Sequence, residues 1–182
     1  MAEITSPEAY FVHIIPQQFA TLMEGAPENV ADQPELTAIY EITGVGGGTY
    51  GLRAAGGRID VLLTGLPDAD MYITMTTDDW RKVAESDAPN PFVDYVRQRK
   101  VAIVKSLKGT VRLELARSDG STLESATIFG GEAEPVVTLR MTDDDYAAMM
   151  RGELNGQMAF MTGKLKFEGS LPLLMQIGAL SA

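Results

Sequence analysis

The chain has 182 residues, 45% of them apolar and 22% charged, with a formal net charge of −10 and no cysteine. That length supports one domain, or one elaborated domain, with a substantial core. The acidity argues against nucleic acid as a bulk partner, and the missing cysteines exclude disulfides, thiolate metal sites and cysteine nucleophiles.

The first residues, Met1-Ala-Glu-Ile-Thr-Ser-Pro, lack the basic start and apolar core of a secretory signal. No apolar run approaches the roughly 20 residues needed to span a bilayer. Residues 6–26 are predicted helical, with Ser6 as cap, Pro7 in the first turn and Glu8 adding negative charge there. Tyr10, Phe11, Ile14 and Ile15 form one apolar patch, and Phe19, Leu22 and Met23 continue it past Pro16, which should kink or split the helix. His13 is the only histidine and has no cysteine or second histidine to complete a familiar triad or metal set. Residues 26–35, with Pro27 and Pro34, read as a linker.

Strands follow. Leu36, Ala38, Tyr40 and Ile42 alternate on one face. Gly46-Gly47-Gly48 lies between two strands and not at a strand-to-helix junction, so it reads as turn chemistry and not as a phosphate cradle. Further strands are expected at Tyr50–Ala54 and Ile59–Thr64, separated by Gly56-Gly57.

Tyr72-Ile-Thr-Met-Thr-Thr-Asp-Asp-Trp80 has an echo in Thr138-Leu-Arg-Met-Thr-Asp-Asp-Asp-Tyr146. Each is a strand, a threonine cap, an acid three residues on, and an aromatic. Residues 49–64 and 110–127 are both strand-turn-strand, and Val101-Ala-Ile-Val falls near the counterpart of Leu165-Lys-Phe-Glu and is read as a strand. The pattern predicts a degenerate internal duplication: an N-terminal helical segment over 1–35, a first copy over 36–105 and a second over 106–182, sharing one core.

Charge is uneven. Residues 87–117 carry 7 basic and 3 acidic groups against net acidity on both sides. Arg97, Arg99, Lys100, Lys105, Lys108, Arg112 and Arg117 form either a solvated face or a receiver for an anionic head group.

From Thr142 a helix is predicted through Met149, Met150 and Leu154, broken at Gly152 and Asn155-Gly156. Met158, Phe160 and Met161 follow. Leu165 and Phe167 then alternate with Lys164, Lys166 and Glu168 as a half-buried strand. Ser170 and Pro172 open a last helix whose Leu171, Leu173, Leu174, Met175, Ile177 and Leu180 cover much of its circumference. Six of the ten methionines lie in the final 42 residues. Methionine is flexible and polarisable, and it fills irregular cores or closes around guests of varied shape.

Met141-Thr-Asp-Asp-Asp, Met150-Arg-Gly-Glu-Leu-Asn and above all Ala159-Phe-Met-Thr-Gly-Lys-Leu-Lys-Phe-Glu-Gly169 resemble the sterol carrier protein family of non-specific lipid-transfer domains. The resemblance is close over about the last quarter of the chain. It implies an α+β fold, a twisted and mainly antiparallel sheet with helices on one side and an apolar cavity between, and no catalytic machinery. It also implies a lipid ligand: a fatty acid, fatty acyl-CoA, sterol or similar. Met149, Met150, Leu154, Phe160, Met161, Leu165, Phe167, Leu171, Leu174, Met175 and Ile177 are the expected lining, with the terminal helix as lid.

No Gly-x-Ser-x-Gly elbow frames a serine, and the aspartates at 78–79 and 143–145 suit helix starts. No cofactor and no metal are expected. Two alternatives stand beside lipid transfer: an enzyme or biosynthetic accessory using the same pocket on a hydrophobic intermediate, and a structural or dimerisation module with a filled core. The expected partner is a lipid or other hydrophobic small molecule, with transient membrane contact and no nucleic acid. Ser181-Ala182 is not a peroxisomal Ser-Lys-Leu address, so the cytoplasm is the expected location.

Overall fold

The computed structural model describes residues 6–26, 29–86 and 90–180. Met1 to Thr5, Pro27 and Ser181-Ala182, on which parts of the sequence reading rest, lie outside the described residues. Eight strands form one sheet: β1 Leu36–Thr43, β2 Gly48–Ala55, β3 Arg58–Leu62, β4 Met71–Thr76, β5 Gly109–Ala116, β6 Thr122–Phe129, β7 Val136–Thr142 and β8 Lys166–Gly169. Their order is β3-β2-β1-β4-β6-β5-β7-β8. β1 and β4 run parallel, as do β5 and β7, and the other five pairs are antiparallel.

Two triplets therefore share one internal topology. β2-β1-β4 and β6-β5-β7 are each a hairpin with a parallel third strand on the far side of its first strand. Each third strand runs into a helix of eight residues, α3 Thr77–Ala84 after β4 and α6 Asp143–Met150 after β7. The starts match in detail. Thr76 accepts from the Asp79 backbone N–H at 3.1 Å, and Thr142 from that of Asp145 at 3.1 Å. Each bond satisfies a donor that the first helical turn leaves unpaired.

Alternation sets the two faces of the sheet. Leu36, Ala38, Tyr40 and Ile42 of β1, Val111 and Leu115 of β5, and Val137, Leu139 and Met141 of β7 are all buried on one face. The other face is charged: Arg53 bonds Asp60, and Arg140 bridges Glu114 and Glu168 on neighbouring strands. The helices cover the apolar face, giving the α+β arrangement expected from the resemblance.

Over β1 and β2 that cover comes from the N-terminal helix, built of α1 Pro7–Ala9, a π-helical turn Tyr10–Ile14, and α2 Ile15–Glu24. Pro16 offers no N–H, and its ring crowds the carbonyl one turn back. The helix widens there, so that the Ile15 N–H bonds the Tyr10 carbonyl. Phe11 stacks on Tyr50 at 4.6 Å between ring centres and tilts against Tyr40 at 4.9 Å. Tyr10 meets Trp80 edge-on at 5.8 Å. Ile15 and Phe19 complete this filled region, buried at 0% and 3% exposure.

One element departs from the sequence reading. Val101-Ala-Ile-Val is not a strand; it opens helix α5, Val101–Ser106, after α4, Pro91–Arg97. Val101 and Val104, three residues apart, are both buried, as is Leu107 beyond them. That helical spacing against the core outweighs the β preference of valine and isoleucine, which is weak and context-dependent. The remaining helices are α7 Gly156–Met161, capped by Asn155, and α8 Leu171–Gly178, capped by Ser170.

Candidate functional site

Among the described residues, no helix over the second triplet corresponds to α1–α2. The inner faces of β4, β6, β5 and β7 instead floor a cavity of about 640 Å³. Met71, Ile73 and Met75 come from β4, Leu123 and Phe129 from β6, Val111, Leu113 and Leu115 from β5, and Leu139 and Met141 from β7. Val83 of α3, Tyr95 of α4, and Tyr146, Met149 and Met150 of α6 form its walls, and Ile177 and Leu180 close it from the C-terminal end. The volume falls in the range of small-molecule sites, which are mostly apolar with a few placed polar groups. A smaller recess of about 310 Å³ shares Met149, Met150, Arg151 and Leu180 with it.

Five of the chain's ten methionines line the cavity: Met71, Met75, Met141, Met149 and Met150. Their flexible, polarisable side chains suit a wall that must adapt. Lys100 Nζ donates to the Leu180 carbonyl at 2.5 Å, and Leu173 is buried at 1% exposure, so the terminal segment is held at both ends.

The polar groups divide into two sets. At the end of the sheet where β5 finishes, Lys82 donates to Asp79 and to the Thr122 carbonyl, and Arg117 lies 3.7 Å from Asp143. Elsewhere on the wall stand the phenols of Tyr40, Tyr95 and Tyr146, with Asn90. Tyr40 donates to Asn90 Oδ1 at 3.3 Å, and the same oxygen caps α4 by accepting the Phe92 N–H at 3.1 Å. Burial pushes the Tyr146 phenol up to about 12, and pushes Tyr40 and Tyr95 higher than their ordinary value. All three therefore stay protonated and neutral across the physiological range.

Of the residues expected to line a pocket, Met149, Met150 and Ile177 border this cavity. Leu165 is buried in the core at 5% exposure, and Leu154, Phe167 and Leu174 pack against that core half-buried. Phe160, Met161, Leu171 and Met175 are exposed on the outside of α7 and α8. The β4 methionines, the β5–β6 face and the tyrosines were not singled out from the sequence. The signal available for them was inward alternation along β4, β5 and β6, which marks a buried face without saying what covers it.

The basic block does not gather. Arg97 pairs with Asp94, Lys105 with Asp70, Lys108 with Glu132 and Arg117 with Asp143. Arg112 points to the exposed face, and within the block only Arg117 borders the cavity. Among the described residues no cluster of three or more His, Cys, Asp or Glu side chains could hold a metal ion, and no helix is long and apolar enough to cross a membrane.

The motif behind the resemblance is built into this frame. Gly163 takes a left-handed φ of 75° after α7, and a Cβ on Gly169 would meet the Val136 carbonyl oxygen at 2.4 Å. Lys164 Nζ bonds Asp145 at 2.7 Å, and the Leu165 N–H bonds the Ala159 carbonyl at 2.9 Å.

Residues 92–181 match the profile described as the SCP-2 sterol transfer family. The chain is 40% identical over 68 residues to "Peroxisomal multifunctional enzyme A" of Dictyostelium discoideum, covering 37% of this chain and 14% of that protein. It is 36% identical over 83 residues to human "Hydroxysteroid dehydrogenase-like protein 2", covering 41% of this chain and 20% of that protein. Among solved structures it is similar to the sterol carrier protein domain 2 of Helicoverpa armigera, with 21% identity, a TM-score of 0.37, and coverage of 53% of this chain and 92% of that one. The chain thus spans a minor part of the curated relatives it matches, and its residues 92–181 are similar to the SCP-2 sterol transfer family.

Proposed function

We propose that this chain binds a lipid in the cavity between the sheet and helices α3, α4, α6 and α8, and carries it between sites of use. The observation that carries this reading is the uncovered hairpin. The apolar inner face of β5 and β6 borders about 640 Å³ of empty space, where the equivalent face of β1 and β2 is packed under aromatic side chains. Burying apolar area yields roughly 25 cal/mol per Å², and a lipid chain laid on that face supplies the missing cover. The match of residues 92–181 to the SCP-2 sterol transfer family points the same way. Specificity for chain length is then loose, because one methylene is worth only about 1–3 kcal/mol in an apolar pocket.

A second reading has its own support. The two relatives named above carry enzyme names, and the matched segment is a small share of each. This chain would then present a hydrophobic intermediate to a separate catalytic domain or partner, binding it without turning it over.

Native mass spectrometry of the freshly purified chain, followed by organic extraction and lipid analysis, tests the proposal. A co-purifying lipid near one per chain is expected. A protein that emerges empty and takes up no uncharged fluorescent lipid analogue contradicts it and returns the filled-core module as the better account.

A further inference from the structure

Two half-buried tyrosines border the largely apolar cavity. Tyr40 is satisfied by Asn90 at 3.3 Å. Tyr95 and Tyr146 also line the cavity, yet among the described residues nothing hydrogen-bonds their hydroxyls. A phenol in an apolar wall with no protein partner is open to one from the cavity. The three phenols influence one another electrostatically, which places them in one neighbourhood.

Asp94, 2% exposed, acts on both Tyr95 and Tyr146. Its own counter-ion is already committed: Arg97 bonds Asp94 Oδ1 at 3.0 and 2.6 Å, and Gln98 bonds Oδ2 at 2.5 Å. The cavity's other cations are also engaged, Lys82 by Asp79, Arg117 by Asp143 and Arg151 by Glu153. An anion beside the phenols would lose part of its water and face Asp94, whose bonded cation Arg97 is already committed. A hydroxyl or carbonyl would not, because a phenol both donates and accepts.

We propose that Tyr95 and Tyr146, beside the Tyr40–Asn90 pair, hydrogen-bond the single uncharged polar group of the bound lipid, a hydroxyl or a carbonyl, so that this chain selects uncharged lipids over fatty-acid anions. This rests on the cavity being a lipid site. It narrows the ligand class to long-chain alcohols, sterols and lipids of similar polarity, and gives the two tyrosines a specificity-determining role. The burial that keeps these phenols protonated disfavours a carboxylate in the same place.

The test is competition between a matched pair, dodecan-1-ol and dodecanoate, against the uncharged dye Nile red at about pH 8, where the carboxylic acid is ionised. The full chain is expected to bind the alcohol at least about tenfold more tightly, the scale of one to two net hydrogen bonds. The Tyr95→Phe/Tyr146→Phe double variant is expected to bring that ratio below about threefold, both affinities being taken against the variant's own Nile red affinity. Equal affinities in the unmutated chain, or a preference that survives the double substitution, would overturn the proposal and leave lipid binding intact. The unmutated chain alone decides the first point, whatever the variant's folding yield. Failure of Nile red, alcohol and carboxylate alike to enter would remove the lipid-site reading and this inference with it.

Discussion

The hairpins β1–β2 and β5–β6 are the instructive pair. Both sit beside a parallel third strand, and both third strands lead through a threonine cap into an eight-residue helix. Over the first hairpin lies the N-terminal helix, with Phe11 wedged between Tyr40 and Tyr50. Over the second lies a cavity. The same helix position holds Trp80, 2% exposed and packed against Tyr10, in one case and the cavity-lining Tyr146 in the other. One plan thus has two outcomes, decided by whether the chain supplies its own cover. The shared topology supports the proposal that 36–105 and 106–182 are degenerate copies of one unit, with 1–35 as the segment that fills the first.

The comparison is broken most forcefully by emptying the filled side. Ile15→Ala, at a position with 0% exposure, should cost about 2–5 kcal/mol in urea denaturation. Lipid uptake per folded molecule should stay unchanged, because Ile15 does not border the cavity. The reverse substitution fills the hollow side. Leu113→Trp places an indole into the cavity floor and should lower lipid uptake at least about tenfold, with the denaturation midpoint held or raised. In a packed core the same enlargement would cost about 1–3 kcal/mol, so a clear loss of stability would show that the space is already occupied by protein.

The caps compare the two units more gently. Thr76→Ala and Thr142→Ala should each cost about 1 kcal/mol. Thr76 should cost more, because its hydroxyl also bonds the Asp79 carboxylate at 2.9 Å, and Asp79 is only 8% exposed. Equal costs in chemical denaturation would place the two helix starts in the same environment.

The smallest effect is electrostatic. Lys164 holds the Asp145 carboxyl below its ordinary value of 3.8. A carboxyl depressed in the folded state contributes stability that is complete above its unfolded value and is lost as pH falls through the folded one. Lys164→Met should therefore lower stability near neutrality by at most a fraction of a kcal/mol, since the pair is partly exposed and screened by salt. The stability curves of variant and parent should converge in acid. A gap that persists there would assign Lys164 a packing role instead.

Much of this frame was legible in the sequence because its signals are local. Ser6, Thr76, Thr142 and Ser170 each precede a helix and each accepts a first-turn N–H, whereas Asn155, read only as a break, caps α7. The alternation of Leu36 through Ile42 marked a sheet face. The site was less legible, for a physical reason. The motif that signals the family fixes backbone: Gly163, Leu165 and Gly169 serve turns and core and do not border the cavity. In α8 two apolar stripes compete. Leu173 and Ile177 face inward, as does Leu180 just beyond the helix, whereas Leu171 and Met175 are exposed at 53% and 71%. Hydrophobicity all round a helix cannot say which stripe is inside. At Val101–Val104 local preference pointed to a strand, and long-range packing made a helix.

The methionines allow the sharpest test. With methyl-labelled methionine, a titration with an uncharged lipid such as dodecan-1-ol reads each methyl group separately. The account predicts that Met71, Met75, Met141, Met149 and Met150 shift, while Met23, against the filled region, and the exposed Met158, Met161 and Met175 do not. Shifts confined to the exposed three would place the lipid on the outer surface of α7 and α8, and would contradict a lipid held between sheet and helices.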